Sequence, residues 1–139
     1  MAEGAYGRMG FARTYALIFG IAYIAVALLE VILGDLEVGG FVLLDRTTTQ
    51  NIVHWAVGVV VLGSFFAGEA AARTVARIVG IVFVALTIWG FVAPSSLGEI
   101  LGYPGDIPTI YNIVHLVTAL VALFAGFAGR SGYRTAPAA

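Results

Sequence analysis

Four long apolar runs take up most of this 139-residue chain and leave few folds open to it. They read from Thr14 to about Leu33, from Asn51 to Phe66, from Val75 to Val92 and from Thr109 to Phe127. At 1.5 Å of rise per residue, a run of about 20 residues crosses a hydrocarbon core about 30 Å thick. One such run could be the buried central helix of a soluble domain. Four in succession could not all be shielded from water by so short a chain. The charge content argues the same way, at 11% against roughly 25% in soluble domains. The expected fold class is therefore all-α, a bundle of four transmembrane helices.

The boundaries follow from breakers and caps. Residues 1–12 read as an N-terminal tail, 13–129 as the transmembrane domain and 130–139 as a C-terminal tail. A signal peptide is the rival reading of the first run. The run exceeds a typical 7–15-residue apolar region, and Gly34-Asp35-Leu36-Glu37 makes a poor cleavage site. Gly39-Gly40 breaks the first connecting segment, and Phe41 to Leu44 is too short to cross a membrane. Thr48 or Thr49 is expected to cap the second span. Residues 68–74 form a connection short enough to require antiparallel neighbours. Pro94 ends the third span, residues 95–108 read as a turn-rich loop, and Asp106 is the expected cap of the fourth span.

All seven basic residues are arginines. With four spans, Arg8, Arg13, Arg73, Arg77, Arg130 and Arg134 fall on one side. Arg46 is alone on the other, among Asp35, Glu37, Asp45, Glu99 and Asp106. The positive-inside rule then puts both termini in the cytoplasm of a multi-pass plasma-membrane protein. The expected partners are membrane lipids, with another membrane protein or a second copy of the chain as further options. A net charge of −1 and scattered arginines give no nucleic-acid signal.

The chain also repeats itself. Arg13 to Ile21 and Arg73 to Ile81 are identical at six of nine positions, 60 apart. Asn51-Ile52-Val53-His54 recurs as Asn112-Ile113-Val114-His115, 61 apart. Two matches in the same order point to two tandem hairpins, about 13–68 and 73–129. Each would contain two spans, so both would insert in parallel orientation about an axis along the membrane normal. Small-residue pairs recur too: Ala16 with Gly20, Ala76 with Gly80, Gly63 with Ala67, and Ala122 with Gly126. Such pairs let helices approach closely in lipid.

These residues carry a resemblance. Asn51, His54 and Gly58 at the second span, Arg73 and Gly80 at the third, and Asn112 and His115 at the fourth match a family pattern. The chain resembles small four-helix membrane proteins, common in actinobacteria, catalogued as a domain of unknown function. The likeness covers about residues 11–129. Ala119 departs from it where a second copy of Gly58 would stand. The resemblance implies the fold and leaves the activity open.

The polar residues within the spans are few. Asn51 and His54 lie three apart on one helix face, as do Asn112 and His115. The plainer reading makes all four structural, bonding to neighbouring helices. The sharper reading makes His54 and His115 ligands of a metal or haem, with Glu30 completing the set. Glu30 is the only acidic residue well within a span, where an ionisable group suggests function. It also lies near enough to a helix end to reach water, and the repeat places Gly90 opposite it. Trp55, Trp89, Tyr103 and Tyr111 fit an interfacial aromatic belt. Ser64 reads as packing. The absence of cysteine excludes disulfides and thiolate sites. No phosphate loop, nucleophile elbow or His-Glu-x-x-His pattern appears. The leading expectation is a non-enzymatic structural or accessory membrane protein with no cofactor. The alternatives are a metal-, haem- or quinone-binding redox accessory and a small transporter or channel subunit.

Overall fold

The computed structural model describes residues 9–39, 41–44 and 47–128. The expected tails, together with Arg8, Asp45, Arg46, Arg130 and Arg134, lie outside the described residues or almost wholly so. The chain runs α1 (Phe11–Leu33), β1 (Leu36–Val38), β2 (Phe41–Leu44), α2 (Thr48–Ala67), α3 (Glu69–Val92), α4 (Pro94–Leu101) and α5 (Thr109–Phe127). Helices α1, α2, α3 and α5 are each long and apolar enough to span a membrane. The fold is all-α, with one small antiparallel hairpin of β1 and β2.

Several boundaries differ from those expected. Helices α2 and α3 both extend to Gly68, which alone makes the turn at φ 104°. A backbone there disfavours a side chain, so glycine fits the position. The cap of α2 is Thr47, whose hydroxyl accepts from the Gln50 amide at 3.1 Å, and not Thr48 or Thr49. Pro94 does stop α3, but it then serves as the first residue of α4 within the expected loop. A missing N–H is no loss at that position. Pro108, and not Asp106, precedes α5. The 41–44 stretch is a strand of the small hairpin.

Packing is uneven. α1 lies mainly along α2, and α3 mainly along α5, while α1 touches α5 only lightly. Glycines set both close approaches. A Cβ on Gly20 would come within 2.7 Å of the Leu62 backbone, and one on Gly80 within 2.6 Å of the Leu123 side chain. Leu62 and Leu123 are 61 apart, as the two histidines are. Gly126 similarly backs onto Arg77. Gly63 and Ala67 do not behave this way, because both face outward and Gly63 has open space before it.

The core is built from small residues, including Ala12, Ala16, Ala72, Ala76, Ala119 and Ala122, with Val61 and Phe83. The large apolar side chains point outward instead, Ile32, Phe66 and Val92 among them. That inversion suits a chain surrounded by lipid.

The end where α1 begins and α5 finishes is tied by charge. Glu69 accepts from the backbone amides of Ala12 and Arg13 and pairs with Arg73 at 3.3 Å. Its carboxylate thus meets the positive ends of α1 and α3 together. Arg13 donates to the Phe65 carbonyl at 3.2 Å and lies over its ring. The corresponding bond to Gly126, at 2.9 Å, comes from Arg77, one turn beyond the residue that sequence matching pairs with Arg13.

Candidate ligand cavity

A cavity of about 310 Å³ lies between the α1–α2 and α3–α5 pairs, in the half of the bundle away from the Arg13–Glu69 end. Its α1 wall is formed by Phe19, Ala22, Tyr23, Val26 and Glu30. Spacings of three and four put these residues on one helix face. Its α5 wall, Tyr111, Val114, His115 and Thr118, follows the same rule. Gln50, Val53 and His54 of α2 and Phe83 and Leu86 of α3 complete the sides, and Leu44, Leu101 and Ile107 close the end. Of the lining residues, Ala22 and Val114 are exposed. They lie on α1 and α5, which pack against each other only lightly.

Glu30 is 1% exposed, so it does not reach water from its place near the end of α1. One carboxylate oxygen accepts from the Asn51 amide at 2.9 Å, and the same amide group donates to the Ala27 carbonyl at 2.8 Å. The other oxygen lies 2.8 Å from His54 Nδ1. The ring is not aligned for a regular hydrogen bond, so this is a close polar contact. His54 also lines the cavity.

The α3–α5 side has the same residues without the acid. Asn112 is 2% exposed and packs directly on Gly90, where any Cβ would overlap its amide oxygen. That oxygen accepts no hydrogen bond among the described residues. His115 also lines the cavity, with its ring edge-on to Phe83 at 5.4 Å between centroids. His54 lies against Tyr23 at 6.1 Å, with the rings tilted by 39° and not edge-on.

The structure thus joins Glu30, Asn51 and His54 directly and puts His115 on the same cavity, while Asn112 stands behind the wall. Among the described residues no three His, Cys, Asp or Glu side chains form a group that could hold a metal ion. That does not favour the metal or haem reading of His54, His115 and Glu30. Tyr103 and Tyr111, expected in an interfacial belt, are buried in a second cluster with Leu97 and Ile107. Tyr103 bonds Gln50 from there, and Thr47 bonds the Leu101 carbonyl, so α4 is fastened over the end of α2. Tyr23, Phe83 and Gln50 were not singled out by sequence. The spacing of Phe19, Tyr23, Val26 and Glu30 on one face was the available signal.

These features define a small multi-span membrane protein with a polar pair facing an internal apolar cavity. The family model described as Domain of unknown function (DUF4383) matches residues 13–128, and the chain belongs to that family. No curated protein and no solved structure matches it.

Proposed function

We propose that this is a non-enzymatic accessory protein of the plasma membrane that binds a small, mostly apolar molecule in the cavity between its helix pairs. The observation that carries this is the Glu30–His54 contact at a largely apolar cavity. Ligand sites are concave and largely apolar with a few convergent polar groups, and about 300 Å³ is at the lower end of their range. A buried acid within a span is costly and tends to be kept for function. The light packing between α1 and α5 suits a ligand arriving from the lipid.

The scaffold around the cavity is, on this proposal, two tandem hairpins in parallel orientation with both termini cytoplasmic. The 60- and 61-residue offsets of Gly20 and Gly80, Leu62 and Leu123, and the two histidines support that arrangement. His54 and His115 then face the ligand, while Asn51 and Asn112 serve packing.

Native mass spectrometry tests the reading, with wild type beside the His54→Ala/His115→Ala double variant in mild detergent. An organic adduct present in wild type and absent from the folded variant is the expected result. Identical bare or lipid-only spectra would return the four polar residues to a purely structural role. An adduct with the mass of a metal or haem would favour the redox alternative.

A further inference from the structure

We infer that the cavity takes a lipophilic organic monocation and exchanges it, one for one, with the proton held between Glu30 and His54. This rests on the cavity being a ligand site and concerns what the ligand must be. The argument begins with charge. The ionisable groups on the walls are Glu30 and Tyr23 from α1, His54 from α2, and His115 and Tyr111 from α5. The faces contributed by α3, α4 and β2 are Phe83, Leu86, Leu101 and Leu44, none of them charged. Among the described residues no arginine lines the cavity, and the chain has no lysine.

A bare carboxylate at this depth needs a counter-charge. Among the described residues and the surrounding solution, two sources can supply a full positive charge. One is a proton, on His54 or on the carboxyl itself. The other is a cation from outside. Either leaves the site neutral, and both together leave it positively charged in a low-dielectric surrounding. Cation and proton therefore compete. In the exchange one N–H or O–H bond breaks, the proton leaves for water, and the cation takes its place beside the carboxylate. Charge is balanced at each end of the step.

The walls favour an organic cation over a metal ion. Hard cations need about six oxygen ligands, and this cavity offers one carboxylate with an amide and hydroxyls at scattered positions. It offers aromatic rings instead: Phe19, Tyr23, Phe83 and Tyr111. Ring faces attract ammonium groups, most strongly where water is excluded. The charge is single because Gly90 stands where a second acid would be, with the Asn112 amide filling its space.

The two histidines make a direct test, since an untagged chain contains no others. Protein labelled with ¹⁵N at histidine, in lipid nanodiscs, is titrated with benzyltrimethylammonium and with its uncharged carbon isostere, neopentylbenzene. The cation is expected to shift the ring resonances of both His54 and His115 saturably. Its Kd should fall about tenfold per pH unit over the range in which the pair holds its proton, as one-proton linkage requires. Glu30→Gln should abolish the binding. Affinity for the cation that is independent of pH, or equal binding of the isostere, would overturn the inference while leaving the cavity as a ligand site. If neither probe moves either ring, the inference and the ligand-site reading both fall. The pH and isostere arms use wild type, so they decide the matter even if Glu30→Gln folds poorly.

Discussion

Glu30 and Gly90 stand 60 positions apart on α1 and α3, each packed against an asparagine of the neighbouring helix. The asparagines meet them differently. Asn51 donates to a carboxylate, whereas Asn112 fills the volume a side chain would occupy. Replacing Gly90 with alanine should therefore overpack the site and lower stability by about 1–3 kcal/mol. Adding Asn112→Ala should relieve much of that loss, because the two groups compete for one space and their effects cannot add. Gly63→Ala is the control. It faces open space on a helix, where alanine is the better helix former by about 1 kcal/mol, so it should be neutral or stabilising. Thermal unfolding in detergent compares all four. Equal losses from Gly90→Ala with and without Asn112→Ala would contradict the packing argument. The sequence puts Asn51 and His54 on one helix face and offers Glu30 to complete a set with His54, but it does not show that the three touch. That depends on the rotation of α1 against α2, fixed by Gly20 and Gly58 against Leu62 and Ile24. It pointed with equal weight to Asn112, which lies behind the wall.

The elements differ in how far local sequence reveals them. Long apolar runs specify helices in lipid because no other open structure satisfies the backbone there, and all four spans were legible for that reason. Their ends were less so, since Thr47, Thr48 and Thr49 are chemically equivalent candidates for one cap. The choice is made by α4, whose Leu101 carbonyl accepts from Thr47. α4 itself was hidden. Eight residues rich in serine and glycine resemble a loop until Leu97 finds Tyr103, Ile107 and Tyr111 to pack against. Thr47 thus both caps α2 and holds α4. Thr47→Ala should cost about 1–2 kcal/mol, in the range of strong N-caps, and should speed amide exchange in the first turn of α2 and in α4 together. Thr48→Ala, at an exposed position, should change stability by less than about 0.5 kcal/mol. Equal effects at both positions would mean that the cap does not couple the two elements.

For the whole molecule, four spans bring the start of α1 and the end of α5 to one end of the bundle, where the rings of Phe11 and Phe124 meet edge to face. Arg13, Arg73 and Arg77 gather at that end, each held by a carbonyl or by Glu69. The cavity, α4 and the β hairpin lie toward the other. Polarity along the bundle axis is thus built into the fold, and the positive-inside rule predicts that the arginine end faces the cytoplasm. The chain has no cysteine, so single cysteines report their own surroundings. Ser96→Cys in α4 and Thr74→Cys near the start of α3 are both exposed positions at opposite ends. A membrane-impermeant maleimide added to intact cells should label Ser96→Cys and should reach Thr74→Cys only after permeabilisation. The reverse pattern would turn the cavity toward the cytoplasm. Orientation therefore decides which compartment the cavity end of the bundle faces, since the geometry of the fold is the same either way up.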